Sequence, residues 1–324
     1  MTVVLLAAGA IAGWYLLSSY SLEFRQGQNG GMEYMRIVPR QGRGTSPGDA
    51  PRQVPPAAPR PSIRMATFDL DGLDETKWAN HQVSDILVRI VSHFDILAVQ
   101  GVRSKNHSVL VRLLEQVNAL GQRSYDFAIC PTADRDAVQQ YNAFLFDAAS
   151  VEIDRGTVHS VVDPQRRFRC QPLVGSFRVR GPAEAEAFTC TLINVQIDAE
   201  RAQTELDSLA DVFRAVRDYY RDEDDILVLG NLQADGEHLG RLGKLPYLTA
   251  AISGTPSTTR GTALLDNILF DRRTTVEFTG RSGVLDLLRE FDLTPQAALE
   301  VSEHLPVWAE FSCYEGGQPG HVGN

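Results

Sequence analysis

The chain has 324 residues, of which 43% are hydrophobic, 22% charged and 8% aromatic, and this composition excludes a disordered, collagen-like or multi-span membrane protein. Its 31 basic and 41 acidic residues give a formal net charge of −10. This charge argues against a protein that coats nucleic acid without sequence preference, because neutralising phosphates requires surplus Lys and Arg. The four cysteines show no Cys-x-x-Cys spacing, so they indicate neither a disulfide framework nor a structural zinc site.

The first element in chain order is an uncharged, mostly apolar run over residues 3–20. This length is near the lower limit for crossing a hydrocarbon core about 30 Å thick, so we expect residues 1–20 to form one N-terminal transmembrane helix. The alternative is a cleaved signal peptide, but that requires a basic residue before the run, where only Met1 and Thr2 stand. Arginines outnumber glutamates just after the run, which favours a cytoplasmic location for the rest of the chain.

Two segments have the composition of unstructured chain. Residues 21–62 are rich in Gly, Pro and Arg and contain too few apolar side chains for a core, which predicts a linker. Residues 314–324 are rich in Gly, which predicts a disordered tail. The globular domain is therefore placed at residues 63–313.

The globular segment alternates two hydrophobic patterns. Apolar residues spaced i, i+3, i+4 predict amphipathic helices over residues 83–94, 109–117 and 206–216. Interspersed strands and helices indicate one mixed α/β domain. Short apolar or β-branched runs predict the buried strands, at residues 63–68, 95–99, 143–146, 190–195, 226–229, 267–270 and 274–278.

Polar residues at the ends of these strands are candidates for a functional site. Taken singly, such Asp and Asn residues are typical of turns and caps, so their order along the chain is the more informative property. They occur in FDLDGLD (68–74), VQGVRS (99–104), INVQID (193–198), LVLGNLQAD (227–235), LLDNILFD (264–271) and VSEHLPVWAEF (301–311).

In these motifs and their order, residues 63–312 resemble the endonuclease/exonuclease/phosphatase superfamily, the deoxyribonuclease I-like hydrolases. The resemblance implies a four-layer α/β/β/α sandwich that cleaves phosphodiester or phosphomonoester bonds with Mg²⁺. In that chemistry carboxylates and an amide hold the metal, which stabilises charge on the phosphoryl oxygens. One His–Asp pair readies the attacking water, and a second His stabilises the phosphate or protonates the leaving group.

The resemblance also implies the site residues, and this chain departs from the family at most of them. The family has Asn at the position of Asp69, and its main metal-binding Glu at the position of Gly101. It has His at the position of Gln196. In its GDxNAD motif the Asp and the Asn stand where this chain has Asn231 and Gln233.

Further departures follow. The Asp of the family's SDHxPV motif is replaced by Glu303, a supporting Glu aligns with Gln139 or Gln140, and a phosphate-contacting Arg aligns near Cys170. A hairpin register that sets Cys170 opposite residue 196 also argues against a disulfide between Cys170 and Cys190. Three positions match the family: Asp266, Asn267 and His304.

These departures predict that the chain keeps the family fold but has lost the metal-binding and proton-transfer groups of the family's active site. Gly101 offers no ligand to a metal, and the amides of Gln196 and Asn231 cannot ionise, so neither can transfer a proton. The loss of one general acid or base typically costs roughly 10²–10⁴-fold in rate. The sequence therefore predicts a membrane-anchored pseudoenzyme without a cofactor, acting in binding or assembly with a partner that it does not name.

Two alternatives stay open. In the first, Asp69, Glu303, Asp266 and Asp235 form a new acidic cluster that binds Mg²⁺ or Ca²⁺ weakly and, with a catalytic His304, supports residual nuclease or phosphodiesterase activity. Without that activity, His304 is a structural histidine bonded to Asp266. In the second, the chain is a nucleic-acid-binding module that does not cleave, which its net charge disfavours.

Overall fold

The computed structural model describes residues 20–26, 32–39, 61–105, 107–130 and 139–320, and the chain divides into units of residues 1–53 and 54–324. In the first unit, β1 (Tyr20–Gln26) and β2 (Met32–Pro39) pair antiparallel within the segment predicted as a linker. The apolar run predicted as a transmembrane helix lies outside the described residues, except for its last one. No helix in the described part of the chain is long and apolar enough to cross a membrane.

The second unit contains two six-stranded sheets. The first sheet consists of β3 (Ser62–Leu73), β4 (Ile96–Ser104), β5 (Tyr125–Ala128), β6 (Gln139–Asp147), β13 (Phe278–Val284) and β14 (Val307–Ser312). Its strand order is β13-β14-β3-β4-β6-β5. Strands β3 and β4 are parallel neighbours in register, so Asp69 lies beside Gln100 and one residue from Gly101.

The second sheet brings three polar strand ends together. It consists of β7 (Val151–Ser160), β8 (Leu173–Val179), β9 (Thr189–Gln196), β10 (Ile226–Asn231), β11 (Leu248–Ala250) and β12 (Asp266–Asp271). Its strand order is β11-β12-β10-β9-β8-β7. Parallel pairing sets Asn231 beside Gln196, and antiparallel pairing sets Asn231 beside Asp266.

Helices cover the outer faces of both sheets. The helices are α1 (Glu75–Trp78), α2 (His81–Val91), α3 (Ser108–Ala119), α4 (Ala202–Tyr219), α5 (Leu287–Glu290) and α6 (Pro295–Val301). The apolar faces of α2 and α3 pack on the first sheet, and that of α4 packs on the second. Between the sheets lies an aromatic-rich core with Phe144, Phe177, Phe270 and Phe311. Two central sheets with helices outside are the predicted α/β arrangement.

The predicted helices are confirmed as α2, α3 and α4, because amphipathic spacing is a local signal that packing against a sheet preserves. The predicted strand at 274–278 is wrong. The Thr274 N–H bonds back to the Asp271 carbonyl in a turn, and β13 begins only at Phe278. Where the sequence predicts a disordered tail, residues 315–317 form a 3₁₀ turn, in which the Glu315 carboxylate accepts a hydrogen bond from the Thr189 N–H.

Candidate active-site cleft

A cleft of about 440 Å³ opens where β3, β9 and β10 end, at the polar edge of both sheets. It gathers most of the positions that the sequence selected, although these are up to 235 residues apart, from 69 to 304. Its lining includes Asp69, Asp71, Gly72, Arg103, Gln140, Arg169, Cys170, Gln196, Asn231, Gln233, Glu303 and His304.

The Asp69 carboxylate is the buried centre of the cleft. Its Oδ2 accepts hydrogen bonds from Gln196 Nε2 and Asn231 Nδ2, both at 2.9 Å. Its Oδ1 accepts the backbone N–H of Asp71, also at 2.9 Å. The negative charge on β3 is thus solvated by two amides and one peptide group. Where the resemblance implies an amide on β3 facing ionisable groups on β9 and β10, this chain has the opposite arrangement.

Gly101 lies directly behind this carboxylate. Its φ is +70°, a left-handed conformation that glycine adopts without strain. A Cβ at this position would lie 2.6 Å from Asp69 Oδ1 and 3.2 Å from the peptide nitrogens of Asp71 and Gly72. The Asp69 carboxylate therefore lies in the space that the first carbon of a side chain at 101 would need.

A row of amides extends the network from Asp69 to the surface. Arg103 Nε donates to Gln140 Oε1 at 3.1 Å, and Gln140 Nε2 donates to Gln196 Oε1 at 2.7 Å. Gln196 in turn donates to Asp69. Of the two positions aligned with the family's supporting Glu, Gln140 thus has its side chain in the cleft, and the Gln139 side chain lies outside the described residues.

His304 and Asp266 form a buried pair at the inner wall. The His304 Nδ1 lies 2.8 Å from Asp266 Oδ2, which also accepts the Ser257 hydroxyl at 2.7 Å. Burial alone would lower the pKa of His304, but the hydrogen bond and charge of Asp266, with the charges of Asp69 and Asp71, raise it to about 9. Burial also raises the pKa of Asp266. The pair shares one proton, which we assign to His304 because Asp69 and Asp71 add negative charge on the side of the imidazole.

The other selected residues are placed differently. The Asn267 side chain is hydrogen-bonded to both backbone groups of Ile252 and holds the strand edge, away from the cleft. Glu303 lies at the rim, where it is 62% exposed and faces Arg260 at 3.8 Å. The other two, Asp235 and Gln233, lie in the loop after β10, where Asp235 pairs with His238 at 2.6 Å and the Gln233 N–H donates to Asn231 Oδ1.

These residues do not fit the Mg²⁺ that the family fold implies. Both Asp69 oxygens are engaged by nitrogen donors, Gly101 offers no oxygen, and Glu303 points toward a guanidinium. Within the described ranges, the groups of three or more His, Cys, Asp or Glu residues whose ligand atoms lie within 4.8 Å of one another contain neither Asp69 nor Glu303. The alternative cluster of Asp69, Glu303, Asp266 and Asp235 therefore lacks the convergence that a hard cation needs.

Three residues at or beside the cleft were missed by the sequence analysis: Arg103, Arg169 and Lys77. Lys77, on α1, donates from Nζ to the carbonyls of Leu70 and Asp71 at 2.7 and 3.1 Å and so holds the loop that carries the Asp71 N–H. Burial lowers the pKa of Lys77. Arg169 pairs with Asp198 at 3.1 Å and lines the cleft beside Cys170. The FRC sequence marks Arg169 as a neighbour of the aligned position, whereas no sequence signal marks Lys77.

Cys170 and Cys190 are free thiols, as the predicted hairpin register indicated. Burial raises the pKa of the Cys170 thiol to about 12, and its Sγ lies 3.5 Å from Asn142 Oδ1. A thiol with so high a pKa is neutral at physiological pH, so it is neither a nucleophile nor a metal ligand there.

Known proteins resemble this chain along most of its length, although no family model matches it. It is 27% identical to deoxyribonuclease-1-like 2 of Mus musculus over 78% of this chain and 93% of that protein. It is 26% identical to deoxyribonuclease gamma of Rattus norvegicus over 76% of this chain and 83% of that one. The pig (Sus scrofa) deoxyribonuclease-1 is also 26% identical, over 76% and 90% of the two chains.

Solved structures share the fold at lower identity. An endonuclease/exonuclease/phosphatase from Bacteroides vulgatus superposes with a TM-score of 0.54 at 13% identity, over 78% of this chain and all of that one. A humanized D. rerio TDP2 gives 0.56 at 12% identity with the same coverage. The chain thus shares the fold of endonuclease/exonuclease/phosphatase proteins. Its relatives by sequence are deoxyribonuclease I-like proteins.

Proposed function

We propose that this protein is a deoxyribonuclease I-like pseudoenzyme, which keeps the hydrolase fold and uses it for binding or assembly instead of phosphoester cleavage. The observation that carries the proposal is the hydrogen bonding of Asp69. A carboxylate that already accepts from Gln196, Asn231 and the Asp71 N–H has three of its roughly four lone-pair sites directed at protein donors, which leaves about one for a cation.

The proton chemistry supports the same proposal. Hydrolysis needs a base that takes a proton from water, and the amides of Gln196 and Asn231 cannot accept one. His304 carries its proton at neutral pH because its pKa is raised to about 9. It can therefore donate a hydrogen bond, but it cannot act as the base that readies a water molecule.

We also propose that the N-terminal apolar run anchors the protein in a membrane, with the folded unit on the cytoplasmic side. The support is the run's length and lack of charge, together with the arginines that follow it. An anchored domain with a polar cleft is suited to hold a partner at the membrane surface.

The proposal is tested by a plasmid-nicking assay on the full chain with Mg²⁺ or Mn²⁺. We expect no nicking above that of a His304→Ala preparation, which measures contaminating nuclease. A variant that restores six family residues (Asp69→Asn, Gly101→Glu, Gln196→His, Asn231→Asp, Gln233→Asn and Glu303→Asp) shows what these residues achieve in the same scaffold.

Metal-dependent nicking by the wild type that is lost in His304→Ala would overturn the proposal and favour the residually active hydrolase. Salt-dependent DNA binding without nicking would favour a nucleic-acid-binding module instead. A protein that neither nicks nor binds DNA is consistent with the proposed role. Substitutions of Glu303 and Arg169, at the rim of the cleft, then test whether the cleft binds a candidate partner.

A further inference from the structure

A second polar cluster lies at the end of β10 opposite to the cleft. Asp225 immediately precedes β10, whose last residue is Asn231 at the cleft. Glu277 lies in the loop before β13, and Glu315 lies in the 3₁₀ turn after β14. Ligand oxygens of these three carboxylates lie within 4.8 Å of one another, although the residues are 38 to 90 positions apart.

The cluster is buried, and several of its oxygens lack hydrogen-bond partners. Asp225 is 0% exposed and Glu277 is 1% exposed. Among the described residues, nothing hydrogen-bonds to either carboxylate oxygen of Asp225 or to Oε2 of Glu277. The Thr275 hydroxyl opposes the rise in the pKa of Asp225, but it makes no hydrogen bond of regular geometry. Buried carboxylate oxygens without partners are costly, so each needs a ligand or a proton.

No basic side chain neutralises the cluster within the described part of the chain. The charged neighbours that act on Asp225 are acidic: Glu277, Glu223 and Asp224. Burial first, and then this like charge, raise the pKa of Asp225 to about 9. Burial first, and then the charges of Glu315 and Asp224, raise the pKa of Glu277 to about 7. Without a cation the fold thus holds several carboxyl groups in a site where their ionised forms repel one another.

We propose that Asp225, Glu277 and Glu315 bind one divalent cation, and that this cation is Ca²⁺. The three ligand residues are carboxylates, whose hard oxygens suit Ca²⁺ and Mg²⁺ and disfavour metals that prefer nitrogen or sulfur. Ca²⁺ is favoured over Mg²⁺ because it accepts irregular, partly bidentate carboxylate shells, whereas Mg²⁺ keeps several waters in a strict octahedron. Carboxylates from three separate loops form such an irregular shell, which Ca²⁺ accepts.

A surface cavity adjoins the acidic region at Glu223. The Glu223 side chain belongs to the same acidic region, and its Oε1 accepts the Asp225 N–H at 2.9 Å. Glu223 and Thr189 line a surface cavity of about 450 Å³, and the Thr189 N–H bonds to Glu315. A hydrated ion entering this cavity would therefore meet Glu223 before it reaches the buried oxygens.

Such an ion would be a structural crosslink. Asp225 leads into a strand of the second sheet, whereas Glu277 and Glu315 flank strands of the first sheet. One bound cation would therefore join both sheets to the last turn of the described chain. It would act far from the cleft chemistry, so this inference does not depend on the proposed function.

The test is thermal unfolding of the full chain after removal of metals with EDTA, followed by titration with Ca²⁺, Mg²⁺ or Mn²⁺. We expect Ca²⁺ to raise the Tm by roughly 5–10 °C once its concentration exceeds the Kd about 100-fold. Calorimetric titration should give one ion per chain. The variant Asp225→Asn/Glu277→Gln keeps the side-chain sizes and removes like charge, so we expect it to fold in EDTA and to show no Ca²⁺ shift.

Asp69→Asn is the matched control, since it removes a buried carboxylate at the other end of β10 and should leave the Ca²⁺ shift unchanged. If the double variant does not fold, Glu315→Gln replaces it, and we expect its Ca²⁺ affinity to fall at least tenfold. The proposal is overturned if none of the three ions shifts the wild-type Tm, if the shift persists in the double variant, or if Asp69→Asn abolishes it.

Discussion

At the scale of single residues, Asp69 and Gly101 depend on each other. Asp69 can occupy its position only because residue 101 has no Cβ, which would approach Asp69 Oδ1 to 2.6 Å. The amides of Gln196 and Asn231 then supply the hydrogen bonds that a buried carboxylate needs. A substitution at one of these four positions therefore changes which side chains the other three positions tolerate.

Gly101→Ala should destabilise the fold by about 2–4 kcal/mol, because it combines the cost of a left-handed φ for a non-glycine residue with a close contact to Asp69. Gly121→Ala is a matched control, since Gly121 has the same φ of +70° and no atom within 4 Å of the added Cβ. Its loss should stay near 1 kcal/mol. Urea unfolding measures both, and equal losses would contradict the close-approach argument.

The pair of His304 and Asp266 should make stability depend on pH. A histidine whose pKa rises from 6.5 to about 9 on folding contributes stability that is complete below pH 6.5 and is lost as the pH passes 9. Replacing His304 by Gln should therefore lower the free energy of unfolding by up to about 3 kcal/mol at low pH and by much less above pH 9.

The measurement is urea unfolding of the wild type and His304→Gln across this pH range. Taking the difference between the two proteins cancels the titration of all other groups that the substitution leaves unchanged. A difference that stays constant across the range would show that the imidazole is not held as the charged form.

At the scale of elements, the loop between β11 and β12 is fixed by one buried hydroxyl. Ser257 Oγ donates to Asp266 and accepts the N–H groups of Leu265 and Asp266, both at 2.9 Å. Ser257→Ala should therefore cost about 1–3 kcal/mol, since the buried Asp266 N–H and the partly buried Leu265 N–H lose this acceptor. Ser253→Ala, at an exposed position of the same loop, should cost less than about 0.5 kcal/mol. Chemical unfolding of both variants compares them, and similar losses would contradict this role of Ser257.

The elements that the sequence predicted well are those with a local signal. The apolar faces of α2, α3 and α4 repeat within one helix, and strands such as β10 are continuous apolar runs. Strand β7 was missed because its charged, partly exposed residues show no such run. The turn at 274–278 was misread because its β-branched residues resemble a strand, whereas the contacts of the buried Glu277, whose carbonyl accepts the Ser312 N–H, are tertiary.

The sequence predicted which residues lie in the site better than it predicted the hydrogen bonds between them. Motif order placed Asp69, Gln196 and Asn231 in one cleft, because strand ends meet at one edge of a sheet. Their hydrogen bonds join residues 127 and 162 positions apart, and these depend on sheet register. The cluster of Asp225 and Glu277 was not predictable, since in sequence each is an ordinary acidic residue of a turn.

At the scale of the whole molecule, the proposed anchor predicts that removal of residues 1–20 releases the chain from membranes. We expect the full chain to stay in the pellet after alkaline carbonate extraction of membranes, and the shortened chain to appear in the supernatant. Full-length chain in the supernatant would contradict an anchor. A mature protein that begins near residue 20 would favour the cleaved signal peptide.

The row of side chains from Arg103 to Asp69 has a direction. Each amide has its oxygen toward Arg103 and its nitrogen toward Asp69, so Gln140 and Gln196 form aligned dipoles between a guanidinium and a carboxylate. Because an amide bonded in this way neither gains nor loses a proton, the row transmits polarisation from the surface to the buried charge without conducting protons. A ligand that bound Arg103 would break its hydrogen bond to Gln140. The hydrogen bonding of Asp69 would then depend on whether a ligand is bound at the mouth of the cleft.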